Sequence, residues 1–209
     1  MQIAVLLYDR FTALDAVGPY EILCRLPGAE LVFVAERAGP VRADTGRLAL
    51  VAEAALADVP APDLVLVPGS PQAPTAPGPL LDWLRAVDAG TAWTTSVCTG
   101  SLVLAAAGLL AGRPATTHWL AMDLLAAFGA KPVESRVVID GKYATAAGVS
   151  AGLDLALELA GRIAGAEVAQ TIQLAVEYDP APPFNAGSPR TAPPSIVAGL
   201  RANRHRVLA

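Results

Sequence analysis

The sequence predicts a single α/β domain over 1–209, a mostly parallel sheet carrying a cysteine on a tight strand-to-helix turn. Short aliphatic runs, Gln2–Tyr8, Glu30–Ala35, Leu64–Val67 and Trp93–Val97, alternate with segments of helical spacing. That alternation builds buried parallel strands with covering helices. At 209 residues and 54% hydrophobic, the chain suits one large core better than two small ones. The third observation is local: the extended run ends at Val97 and an Ala/Leu-rich helical run begins at Leu102, which leaves no room for a loop at Cys98.

On such a turn a side chain is pushed out above the carboxyl end of the sheet. The backbone N–H groups that follow, Thr99 first, point at the same spot. The helix N-terminus behind Cys98 is expected to lower the thiol pKa by favouring the thiolate. Gly100 is small enough for a substrate to approach the backbone. From its context alone Cys98 fits two roles, a nucleophile and a small buried apolar residue, the usual fate of a free cysteine.

The first strand is followed by a loop in which Thr12 can cap a helix, with Asp15 in the first turn. This sets a carboxylate near the carboxyl end of the first strand, where ligands bind in open α/β sheets. A surface helix-capping acid is the alternative for Asp15. Glu21, six residues on, reads first as a solvent-facing helix position. Gly18-Pro19 predicts a bent or stepped helix. Val41–Ala43 and Leu48–Val51 flank Asp44-Thr45-Gly46 as a hairpin.

The strand Leu64–Val67 ends in Pro68-Gly69-Ser70, whose amides at Gly69 and Ser70 offer a second oxyanion donor or simply form a strand-ending turn. Helical spacing over Leu80–Val87 leads into the cysteine strand. His118, at an element junction, can orient the site or act as base, or be a core histidine bonded to the backbone. Arg136–Ile139 and Lys142–Thr145 form a hairpin about Asp140-Gly141, and helices follow at Leu153–Ala160, Ala166–Glu177 and from Ser195 beyond a proline-rich stretch.

Composition excludes several classes. Charged residues make up 16% and the net charge is −4, which argues against nucleic acid or an anionic membrane surface as partner. The opening run lacks the basic segment of a signal peptide, and no apolar stretch is long enough to span a bilayer. Two cysteines, Cys24 and Cys98, make no disulfide framework, which suits a reducing cytoplasm, and two histidines leave little scope for a metal centre.

The runs Ser96–Ser101, Leu109–Arg113 and Ala115–Trp119 resemble the ThiJ/PfpI branch of the class I glutamine-amidotransferase-like superfamily. Within it, Leu14–Glu21 and the late run Gln173–Pro189 are similar to the isonitrile hydratases. The resemblance implies a flavodoxin-like three-layer sandwich, a homodimer, no metal and no organic cofactor. It also implies hydration of a small-molecule isonitrile to an N-substituted formamide, with Cys98 as nucleophile and Thr99 and Asp15 as key groups. Two departures stand out. Ser70 replaces a second glycine, and Thr99 stands where peptidase relatives carry histidine, which removes their Cys-His pair. A ligand-sensing domain like those of AraC-type regulators, and another thiol activity such as aldehyde hydration or deglycation, are the alternatives.

Overall fold

A computed structural model describes residues 1–208, so the final residue of the predicted domain lies outside the described residues. In chain order, β1 (Gln2–Leu6) leads to α1 (Ala13–Leu23), and β2 (Glu30–Ala35) to a hairpin of β3 (Gly39–Arg42) and β4 (Ala49–Ala52) and the short β5 (Ala54–Ala55). The middle of the chain forms β6 (Leu64–Val67), α2 (Pro79–Asp88), β7 (Trp93–Val97) and α3 (Gly100–Ala106). Next come β8 (Pro114–Ala115), α4 (Met122–Ala127), β9 (Lys131–Pro132) and the hairpin β10 (Val137–Asp140)/β11 (Tyr143–Ala146). The chain closes with α5 (Ala151–Ala164), α6 (Ala166–Ala175), α7 (Pro194–Ala202) and α8 (Arg204–Val207).

Seven strands form the central sheet in the order β10-β11-β7-β6-β1-β2-β5. All neighbours run parallel except β10 and β11. The inner five, β2-β1-β6-β7-β11, give the flavodoxin-like order, in which the chain moves outward from β1 and then returns across it. That reversal opens a crevice at the carboxyl ends of β1 and β6. Every residue of β6 is buried, as its unbroken apolar run requires for a strand covered on both faces. Helices α1 and α5 pack together, while α3 packs against α2 and α4. One hydrophobic cluster runs from Ile3 on β1 to Ile172 on α6.

Local chemistry explains the joints. Pro79 opens α2, where a missing N–H costs nothing, and Leu80, Leu81, Trp83, Leu84 and Val87 face the core. One expectation needs correction. Thr12 is the N-cap residue of α1, but its side chain makes no cap bond; the hydroxyl donates to Asp44 Oδ2 at 3.1 Å instead. Helix α1 continues through Pro19, whose ring packs at the start of α5, within 3.0 Å of where a Cβ on Gly152 would stand. Strands β5, β8 and β9, two residues each, are too short to show a period. Among the described residues, no helix is long and apolar enough to cross a membrane.

Candidate active site

Cys98 sits between β7 and α3 with φ of +57°. A side chain with a Cβ rarely adopts this left-handed backbone, and such strain persists only where the surroundings hold it. Here they do. The Cys98 N–H donates to the carbonyls of Ala146 at 3.0 Å and Ala147 at 3.1 Å, and its carbonyl accepts from Thr117 Oγ1 at 3.0 Å and Ser101 Oγ at 3.1 Å. The residue is 6% exposed. A Cβ on Gly100 would fall on the carbonyl oxygen of Val67 and 2.7 Å from that of Pro68. Glycine at 100 therefore lets the elbow close against β6, and substrate access, the sequence-based expectation, is not what its size serves.

Asp15 is fully buried, not on the surface. Oδ2 accepts from the Gly69 N–H at 2.8 Å, while Oδ1 is buried without a hydrogen-bond partner. Burial drives the carboxyl pKa up to about 8, against the pull of the Gly69 N–H and the Cys98 thiol, with Asp44 adding a further push upward. The thiol is thus close enough to act on the carboxyl, although Oδ1 makes no bond of ordinary geometry. Burial, followed by the charge of Asp15, pushes the Cys98 thiol well above its ordinary value. This corrects the expected lowering by the helix terminus. The N–H groups of Thr99 and Val149 do oppose the rise, but desolvation outweighs them.

The Thr99 side chain makes a reciprocal pair with Ser70, accepting from its N–H at 2.8 Å and donating to its carbonyl at 2.7 Å. A hydroxyl has one hydrogen to give, and Ser70 takes it. The Gly69 and Ser70 amides are therefore already committed, to Asp15 and Thr99, and are not free oxyanion donors as the sequence suggested. Both hold the site together. A Cβ on Gly69 would lie 2.7 Å from Asp15 Oδ2 and 2.8 Å from Thr99 Oγ1, so only glycine admits both groups. The second backbone N–H that works against the rise in the Cys98 pKa is that of Val149, on the loop after β11.

Glu21 stands apart from this cluster: it pairs with Arg25 at 2.9 Å on the solvent side of α1, its side chain 47% exposed. His118 caps a short 3-10 turn, Nδ1 accepting from Leu120 N–H at 3.3 Å, and burial lowers its pKa. It meets the backbone-bonded alternative, and its neighbour Thr117 is the residue that bonds the elbow. Among the described residues no three His, Cys, Asp or Glu side chains gather as a metal site. Sequence reading missed Tyr8, whose hydroxyl donates to the Pro68 carbonyl and whose pKa is raised by burial and then by Asp15 and Cys98. Its position just past the end of the first strand was the available signal. Tyr8 also borders a cleft of about 750 Å³ lined by Arg37, Arg42, Gln72 and Leu80; Cys98 is not on that cleft's wall.

The chain belongs to the DJ-1/PfpI family, whose model matches residues 1–162. Among individual proteins it is 46% identical to the isonitrile hydratase of Pseudomonas putida over 207 residues, 96% of this chain and 89% of that one. A THiJ/PfpI family protein from Pseudomonas syringae has a closely similar structure, with a TM-score of 0.95 at 40% identity over 99% of this chain and 87% of the other. The HTH-type transcriptional regulator CdhR of Pseudomonas aeruginosa is 37% identical over 137 residues, which is 63% of this chain and 40% of the regulator.

Proposed function

We propose that this protein is an isonitrile hydratase, adding water to a small-molecule isonitrile to give an N-substituted formamide with Cys98 as nucleophile. One observation carries the reading: a buried carboxyl with an unpartnered oxygen faces the elbow thiol. The 46% identity to an isonitrile hydratase supports it. With its pKa near 8, Asp15 holds a proton at neutral pH. Oδ2 is an acceptor toward Gly69, which leaves Oδ1 to carry that proton toward the reacting carbon.

The isonitrile carbon takes the Asp15 proton while the sulfur of Cys98 bonds to the same carbon. The thiol's proton passes to Asp15, so the net change adds S–H across one carbon and leaves a neutral thioimidate. Water then adds to that carbon, Asp15 Oδ1 giving its proton to the nitrogen and taking one back from the water. The C–S bond breaks as the hydroxyl on that carbon passes its proton to sulfur, and the formamide leaves. The N–H groups of Thr99 and Val149 stabilise charge on sulfur as bonds change. A linear, slender –N≡C end suits a sulfur that is only 6% exposed. Thr99 contributes its N–H and braces the loop at Ser70, while Gly69 holds the acid in place.

The partner is a second copy of this chain, as the resemblance implies, and the free state of Cys24 and Cys98 fits a cytoplasmic setting. The test is incubation of reduced protein with cyclohexyl isocyanide, following formamide. Product from the native chain and at least a 1,000-fold loss in Cys98→Ser is expected, roughly the scale of removing a nucleophile; folded, reduced protein that makes none overturns the reading. Similarity to a regulator favours ligand sensing as a second reading, under which Cys98→Ser and Asp15→Asn retain isonitrile binding and the native chain shows no turnover.

A further inference from the structure

The mechanism leaves unused the late run Glu177-Tyr178-Asp179-Pro180, part of the narrower resemblance. Tyr178 does not touch the cysteine. Its hydroxyl donates to Asp154 Oδ1 at 2.9 Å, and its carbonyl accepts from Gln173 Nε2 at 3.1 Å. Through Oδ2, Asp154 accepts from Arg136 Nε. Arg136 in turn grips both ends of one short loop. Its carbonyl accepts from Ala147 N–H at 2.9 Å, and its Nη2 donates to Ser150 Oγ at 3.2 Å. Between those ends lies Val149, whose backbone N–H works against the rise in the Cys98 pKa, and the Ala147 carbonyl accepts the Cys98 N–H at 3.1 Å.

We propose that Arg136, Asp154 and Tyr178 are positioning residues that clamp the Ala147–Ser150 loop, and so hold the Ala147 carbonyl on the Cys98 N–H and the Val149 N–H beside the sulfur. A planar guanidinium can hold a carboxylate and a hydroxyl at once in fixed directions, which a lysine ammonium on a flexible stem cannot. The side chains of Arg136 and Asp154 are 50% and 31% exposed, so their ion pair adds little to global stability. Its consequence is geometric, because a donor to developing charge counts only when held within a fraction of an ångström. The late run thereby gains a role: Tyr178 orients Asp154, Asp154 orients Arg136, and Arg136 fixes the loop.

The claim rests on the hydratase reading for turnover, but its effect on the sulfur is measurable without any isonitrile. In a Cys24→Ser background, Arg136→Lys and Tyr178→Phe are compared with the parent by two readouts. One is the rate of Cys98 alkylation by iodoacetamide from neutral to mildly alkaline pH, and the other is kcat and KM with cyclohexyl isocyanide. The other groups facing the sulfur are unchanged in both variants: Asp15 on α1, Tyr8 after β1 and Thr99 at the N-cap of α3, with His118 against Gly148. Arg136→Lys is expected to slow alkylation across that pH range and to lower kcat about tenfold with KM little changed, short of the roughly 100-fold cost of deleting a donor. Tyr178→Phe, which removes a single hydroxyl and preserves packing, is expected to change both in the same direction by a smaller factor. Slowed alkylation with no turnover in any variant or the parent would keep the clamp and remove the hydratase reading. Alkylation profiles and kcat that coincide with the parent in a folded Tyr178→Phe and Arg136→Lys would overturn the clamp.

Discussion

Burial holds the Asp15 carboxyl at a pKa of about 8 against an ordinary 3.8, and this single group ties stability and activity to pH. Because the folded-state value is raised, the unfolded chain loses this proton first. The group's contribution to stability is complete below about 3.8 and is lost progressively as pH rises to about 8, at roughly 1.4 kcal/mol per pH unit for one proton. Asp15→Asn, whose amide stays neutral, should therefore flatten this part of the pH dependence. Denaturant melts of both proteins between pH 5 and 8, about the window named, would check this. In the same way, kcat/KM should fall above about pH 8 as Asp15 loses the proton it delivers. The sequence marks Asp15 as an acid at the ligand end of the first strand, but it does not show the burial that sets the protonation state. That depends on Gly69, Tyr8 and Cys98 arriving from three other points in the chain.

At the level of elements, the turn after β6 and the elbow after β7 are joined by one side chain. Thr99→Val keeps the shape and strips the hydroxyl from Ser70, leaving both Ser70 backbone groups without their partner. A loss of about 2 kcal/mol is expected for two such bonds, together with reduced turnover, whereas Thr99→Ser should retain most of both; paired denaturant melts and rate measurements decide it. Element type was readable wherever hydrophobic runs were long: Glu30–Ala35 and Leu64–Val67 appear as β2 and β6 with the same bounds. What escaped were three two-residue strands, defined by their partners and not by local pattern. The Val149 donor escaped for a related reason. It is a backbone group on a loop far along the chain, and any residue type supplies the same N–H.

For the whole molecule, the alternation of runs gives a mostly parallel sheet with few allowed topologies, and the flavodoxin-like order among them came with the family resemblance. The Gly69 and Ser70 amides were misread because a sequence shows which donors exist but not which acceptors already occupy them. A homodimer should sediment at about twice the 21.4 kDa of the chain by analytical ultracentrifugation; a monomer at micromolar concentration would contradict that proposal. The most direct test of the account is mass spectrometry of rapidly quenched protein after mixing with excess isonitrile. Peptides containing Cys98 should gain the mass of one isonitrile during turnover in the native chain, and far more slowly in Asp15→Asn. Formamide accumulating while Cys98 stays unmodified at every time point would contradict it.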